Sequence, residues 1–309
     1  MSQIKTREAY VEVEDGFRVW TKSIGGGTAD DYPALLILHG GPGGGHDYLS
    51  NLASLASNSQ KVIFYDQLGC GKSDQPNDPT RWEISRFVKE LATIRGSLNL
   101  HKVILLGQSW GGMLAIEYLL TDPEGVSGLI LSNSLSSASI FAAEILRLKN
   151  QLPASILNTL IESEAKGDMN NDRYESAVKA FYCRHILRMD PMPDQVWTAL
   201  NSENQSYQVM WGSNEFNFTG NLRYWERTND LHQIQIPTLI ISGEFDESTP
   251  AVNQVMHKAL RNSKWITMPG CSHLPNLENP DHYIGHISEF LDQIYQDRPM
   301  PGIKQTSGL

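Results

Sequence analysis

The pentapeptide Gly107-Gln108-Ser109-Trp110-Gly111 carries the strongest chemical signal in the chain. It follows the apolar run Val103 to Leu106 directly and precedes a helical stretch from Met113, the context of a strand-to-helix turn. Such a turn is so tight that side chains at the glycine positions would collide with neighbouring backbone, and it leaves the serine strained and exposed. A serine hydroxyl attacks a carbonyl at neutral pH only when a positioned base takes its proton. Where a serine sits on such a turn, its partners follow along the chain in the order acid, then histidine. Asp246, in Gly243-Glu244-Phe245-Asp246, follows the strand-like run Pro237 to Ser242, and His273, in Gly270-Cys271-Ser272-His273, follows Lys264 to Met268. The pattern predicts Ser109 as nucleophile, His273 as general base and Asp246 as the group that orients His273, with Glu244 and Glu247 as competing acids beside it.

The glycine-rich run His39-Gly40-Gly41-Pro42-Gly43-Gly44-Gly45 comes after the strand-like segment Ala34 to Leu38. Glycines allow backbone to approach a reacting carbonyl, and the N–H groups of Gly41 and Trp110 are the expected oxyanion hole. The run does not fit G-x-G-x-x-G, and Gly71-Lys72-Ser73 fails as a Walker motif because Asp66 stands where its first glycine should be. Nucleotide binding is therefore not expected. The remaining histidines, His39 and His46 among them, lack metal-ligand spacing and read as structural, so neither a metal nor a cofactor is expected.

These residues need a scaffold that brings distant loops together. Apolar runs at Ala34 to Leu38, Val62 to Tyr65, Val103 to Leu106 and Gly128 to Leu131 read as buried parallel strands, with Ile84 to Leu98 and Met113 to Leu120 as crossover helices. Ahead of them, Ala9 to Val13 and Phe17 to Thr21 flank Glu14-Asp15-Gly16 as an antiparallel hairpin. From Leu135 to Thr228 strand signals stop and helical spacing takes over, as in Ile156, Leu157, Leu160 and Ile161. Strands return at Pro237 to Ser242 and Lys264 to Met268, and Tyr283 to Tyr295 reads as a closing helix. The class is α/β: a mostly parallel central sheet with helices on both faces and an inserted helical cap, the catalytic domain comprising residues 1–134 and 229–309 and the cap 135–228. Arg298 to Leu309, with its prolines and glycine, reads as a loose tail.

Composition narrows the partners. With 40% hydrophobic and 19% charged residues in 309, the chain can bury a large core and is not of a disordered type. A formal charge of −10 argues against nucleic acid and anionic membranes and is compatible with small cationic substrates. The N-terminal residues lack the apolar core of a signal peptide and the longest aliphatic run, Ala34 to Leu38, is too short to span a bilayer, so a cytoplasmic protein is expected. Cys70, Cys183 and Cys271 are odd in number and widely spaced, which suits free thiols. The sequons at Asn204 and Asn217 would matter only in a secretory compartment.

Taken together, these motifs make the chain resemble the proline iminopeptidase family of α/β-hydrolases, in particular its tricorn-interacting aminopeptidase and amino-acid amidase branch, along nearly the whole chain. The resemblance is carried by His39-Gly40-Gly41-Pro42-Gly43, by Tyr65-Asp66-Gln67-Leu68-Gly69-Cys70-Gly71-Lys72-Ser73, by Gly107-Gln108-Ser109-Trp110-Gly111-Gly112, by Asn214-Glu215-Phe216 and by Gly243-Glu244-Phe245-Asp246-Glu247. It implies the α/β-hydrolase fold and a serine exopeptidase that releases N-terminal proline or another amino acid from short peptides through an acyl-enzyme. It also implies that Glu215 and Glu247 hold the substrate's free amino group. Ser213 stands where some relatives have proline, and a first-residue pocket lined by Trp110 and Phe216 would suit a proline ring or another apolar side chain. The rival readings are an amidase acting on small L-amino-acid amides, a carboxylesterase, and a ligand receptor with little turnover. The expected partner is a small peptide or amino-acid amide.

Overall fold

The computed structural model describes residues 4–26, 32–193, 196–197, 200 and 204–296. Eight strands form a single sheet: β1 Thr6–Glu12, β2 Arg18–Gly25, β3 Ala34–Leu38, β4 Lys61–Tyr65, β5 Val103–Gln108, β6 Val126–Ser132, β7 Thr238–Gly243 and β8 Ser263–Met268. Their spatial order is β1-β2-β4-β3-β5-β6-β7-β8. Pairing is antiparallel in β1·β2 and β2·β4 and parallel from β4 onward. The central strands are buried on both faces, which is why they read as unbroken apolar runs rather than alternating ones.

Alternate residues of each strand serve opposite faces. Leu36, Leu105, Leu129 and Ile240 pack on one side with Phe87 and Leu91 of α1 Ile84–Ser97 and with Met113 and Ile116 of α2 Trp110–Thr121. Leu35, Ile104, Ile130 and Leu239 face the other side with Tyr283, Ile287 and Phe290. The period of two thus divides one sheet between two cores.

Between β6 and β7 the chain forms α3 Ala138–Asn150, α4 Ala154–Lys166, α5 Asp172–His185 and α6 Gln205–Met210. Three of their starts are capped by polar side chains: Ser137 accepts from Ile140 N–H, Asn171 from Tyr174 N–H, and Asn204 from Ser206 and Tyr207 N–H. The chain ends with α7 Pro250–Ala259, α8 Pro275–Glu278 and α9 Pro280–Tyr295.

The hairpin turn forms with Asp15 and Gly16 at positive φ, but β2 runs on to Gly25, beyond the alternating stretch. Lys22 to Gly25 are extended because they pair with β4, a long-range contact that local periodicity does not report. Helical structure stops at Met210 short of Thr228, apart from 3-10 turns; Trp211 to Phe218 is a loop closed by a bridge between Gly212 and Phe218. Gly212 has φ +151° and a Cβ there would lie 1.9 Å from the Asn217 carbonyl oxygen, so only glycine closes this loop. The expected tail from Arg298 lies outside the described residues.

Candidate active site

The turn from β5 into α2 has the close contacts its sequence demands. A Cβ on Gly107 would stand 2.3 Å from the Gly111 carbonyl oxygen, and one on Gly111 2.1 Å from that of Leu38. Between them Ser109 adopts φ +54°, ψ −122°, a region a side chain rarely occupies, and it is held there by its N–H to Ser132 O at 2.9 Å and by Ser134 Oγ donating to its carbonyl at 2.8 Å.

Asp246 and His273 meet although they lie on the loops after β7 and β8. His273 Nδ1 is 2.8 Å from Asp246 Oδ1, and both residues are buried. The same carboxylate accepts from Ser248 N–H at 2.9 Å and from Asn133 Nδ2 at 2.7 Å. Burial pulls the His273 pKa down, yet the charge and hydrogen bond of Asp246 outweigh it, so the imidazole sits above its ordinary value. Its competitors have other contacts: Glu244 accepts the Gly270 N–H at 2.9 Å, and Glu247 Oε1 lies 3.6 Å from His273 Nε2. Ser109 and His273 line one cavity of about 340 Å³.

The glycine loop forms another wall of that cavity. Gly41 has φ +116°, and a Cβ on Gly40 would lie 3.2 Å from the Ser109 Cβ, so the loop backbone runs directly against the serine. Tyr48 Oη accepts the Gly40 N–H at 2.7 Å and donates to Gln108 Oε1 at 2.6 Å, while Gln108 Nε2 donates to the His273 carbonyl at 3.3 Å. Behind the loop, His39 Nε2 accepts the Gln67 N–H at 3.0 Å and its Nδ1 donates to the Gly40 carbonyl at 2.8 Å. That pattern requires neutral imidazole, and burial lowers its pKa accordingly. His46 Nδ1 lies 2.7 Å from Asp66. Trp110 opens α2, so its N–H is one of the donors a helix start leaves unpaired.

Glu215 and Glu247, one from the inserted segment and one from the β7 loop, are brought close enough for each carboxyl group to act on the other. Tyr207 Oη donates to Glu215 Oε1 at 2.8 Å, and Glu247 Oε2 is buried without a partner among the described residues. Burial raises both carboxyl pKa values, Glu247 furthest because Glu215 and Asp246 add their charge. A half-buried and a buried carboxyl set against each other beside a cavity favour either a shared proton or a cation.

The aromatic pocket expected from Trp110 and Phe216 is corrected. The Trp110 side chain is fully buried beneath the site, with its indole N–H on Gln67 Oε1 at 2.8 Å and its ring edge-on to Phe87. Phe216 turns toward Phe181, with the Lys149 ammonium 4.8 Å from its ring centroid. The apolar wall comes instead from Ile186, Val196, Leu200, Leu274 and Leu277. Sequence reading also passed over Asn133, Tyr207 and Tyr48. Asn133 had a usable signal, a polar residue directly beyond the carboxyl end of a parallel strand; the tyrosines had none.

Both sequon asparagines use their amides internally, Asn204 Nδ2 on Gly69 O at 2.9 Å and Asn217 Nδ2 on Tyr174 Oη at 2.9 Å. The three cysteines are free, no group of side chains among the described residues could hold a metal ion, and no described helix is long and apolar enough to cross a membrane.

Residues 33–280 match the family model for the α/β hydrolase fold. A proline iminopeptidase of Saccharolobus solfataricus is 40% identical over 264 residues, covering 84% of this chain and 85% of that protein. One from Lactobacillus helveticus is 40% identical over 282 residues, covering 90% and 95%. The crystal structure of a proline iminopeptidase from Mycobacterium smegmatis superposes with a TM-score of 0.86 at 32% identity over 94% of this chain and 99% of that one.

Proposed function

The chain belongs to the proline iminopeptidase family of the α/β-hydrolase fold, and from that membership we propose that it is a serine exopeptidase releasing an N-terminal proline or other amino acid from short peptides. The observation that carries the exopeptidase reading is the pair of a half-buried Glu215, which lines the cavity with Ser109 and His273, and a buried Glu247 beside it. A free ammonium group satisfies both carboxylates and places the adjacent carbonyl within reach of the serine. Tyr207 fixes Glu215 for that task.

In the proposed mechanism Ser109 Oγ forms a bond to the carbonyl carbon as its proton passes to His273 Nε2. Asp246 stabilises the imidazolium, and the N–H groups of Gly41 and Trp110 receive the oxyanion. The C–N bond then breaks, with the His273 proton going to the leaving nitrogen, and water repeats the sequence on the acyl-enzyme to free the amino acid. Residues 135–228 act as a cap that admits only chain ends. The three free thiols suit a reducing compartment, and we place the enzyme in the cytoplasm.

Hydrolysis of a fluorogenic proline anilide, measured beside its alanine and N-acetylproline counterparts and a simple ester, tests this reading with Ser109→Ala as control. Release from the free-amine compounds that is lost on acetylation and in the variant supports it. Turnover indifferent to acetylation removes the anchoring role of Glu215 and Glu247 and points to an esterase. Proline amide compared with a proline-led tripeptide separates amidase from peptidase.

A further inference from the structure

With the amino group held at Glu215 and Glu247 and the scissile carbonyl at Ser109, whatever follows the scissile nitrogen must fill the rest of the cavity and leave by its rim. That remainder is apolar with an acidic edge. Of the cavity's apolar lining residues Pro42, Ile186 and Leu274 are buried, and Val196, Leu200 and Leu277 are half-buried. The exposed rim positions are Gly44 and Asp47, the latter with a side chain 95% exposed. Among the described lining residues the carboxyl groups are those of Asp47 and Glu215, and Glu247 lies beside His273. No described lining residue is lysine or arginine.

From this arrangement we propose, resting on the aminopeptidase reading above, that the leaving side selects uncharged or cationic leaving groups and discriminates against free dipeptides, with Asp47 setting the preference at the rim. In a dipeptide the terminal carboxylate sits on the carbon bonded to the scissile nitrogen. It must therefore enter the cavity, lose water against Pro42, Leu274 and Leu277, and approach the acidic groups there without a cationic partner. In an amide or a longer peptide a neutral amide takes that position; the amide carries no carboxylate, and that of the longer peptide stays in solvent, screened over a distance of about 8 Å at physiological salt. A basic second residue gains from Asp47 as an exposed pair does, by a small factor that salt reduces.

The test is kcat/KM of the full chain for Pro-Leu, Pro-Leu-amide and Pro-Arg-amide, each at low and moderate salt, in the parent and in Asp47→Lys. The Asp47 side chain is exposed but its Oδ1 lies 3.5 Å from Nε2 of the buried His46, so thermal melting of the variant accompanies the kinetics to show that the fold persists. The amide is expected to exceed the free dipeptide by about tenfold or more. Pro-Arg-amide should exceed Pro-Leu-amide by about two- to fivefold at low salt. Asp47→Lys should abolish the arginine advantage and narrow the dipeptide gap by raising Pro-Leu. Equal turnover of Pro-Leu and its amide, as when glycine-loop N–H groups hold the carboxylate, overturns the proposal, and so do ratios unchanged in the variant. Turnover of none of the three, with an amine-free ester still cleaved, overturns the aminopeptidase reading instead.

Discussion

Asn133 Nδ2 donates to Asp246 Oδ2 at 2.7 Å, on the opposite oxygen from the one that His273 Nδ1 meets. Asn133 is itself fixed: it sits at φ +52°, its Oδ1 accepts Ser132 Oγ at 2.7 Å, and Tyr283 Oη donates to that hydroxyl at 2.8 Å. A chain of hydrogen bonds thus runs from α9 through β6 to the acid, and it aims the carboxylate.

Asn133→Gly, which keeps the left-handed backbone, should lower kcat with little change in KM, because the substrate does not touch this residue. A hydrogen bond to a charged group contributes about 1.5–3 kcal/mol, so the expected loss is on the order of tenfold or more. Steady-state kinetics on proline anilide, with thermal melting to show that the fold persists, is the check. A rise in KM at unchanged kcat would remove the positioning role.

The raised pKa of His273 sets the direction of its pH dependence. In the proposed mechanism activity needs the neutral ring, so it should fall as pH drops through a value above that of an ordinary histidine. Asp246→Asn should move that limb to lower pH while reducing kcat. An amine-free activated ester is the substrate of choice, since it does not require Glu215 or Glu247. For stability, the charged His273–Asp246 pair contributes fully below the ordinary histidine value and is lost as pH rises through the raised one. Asp246→Asn should therefore cost more stability on the acid side of that window than on the alkaline side, as urea titrations at several pH values would reveal.

The raised values of Glu215 and Glu247 mean that the free site retains a proton into the range where ordinary carboxyls have lost theirs. An ammonium ligand should expel it. Calorimetric titration of Ser109→Ala with proline amide, in buffers of differing ionisation heat, should register net proton release. Stability follows the opposite course from activity: the folded state holds a proton that the unfolded chain gives up, so stability falls as pH rises from the ordinary carboxyl range through the raised values. Glu247→Gln should then melt higher than the parent at neutral pH without ligand, yet lose the preference for free-amine over N-acetyl substrates. A lower melting temperature would contradict this.

Strain at Ser109 is the basis of a further comparison. Its φ +54°, ψ −122° conformation costs a side chain about 1–3 kcal/mol that glycine avoids. Glycine in turn loses about 0.5–1 kcal/mol of chain entropy. Ser109→Gly should consequently be more stable than Ser109→Ala by on the order of 1 kcal/mol. Both should be inactive. Denaturant midpoints of the two variants decide the matter, and equal midpoints would mean that the turn stores no such strain.

Much of this protein could be read from the chain alone. Glycines at 107 and 111 around Ser109, the glycine run after Leu38, and continuous apolar strands are local signals, because each reports contacts that its own residues cannot avoid. The order serine, acid, histidine at the carboxyl ends of strands then pointed to Ser109, Asp246 and His273 as the candidate triad. Other features depended on which distant segments meet. The sequence could not tell that Trp110 turns inward to Gln67 while Ile186, Leu274 and Leu277 line the cavity, since each is simply apolar until its neighbours are known. Nor could it reveal that Asn133 reaches Asp246 across 113 residues, or that Tyr207 secures Glu215. Local sequence records the constraints of backbone geometry and burial. The partner of a polar side chain is decided only when the sheet order and the inserted helices bring remote loops to one place.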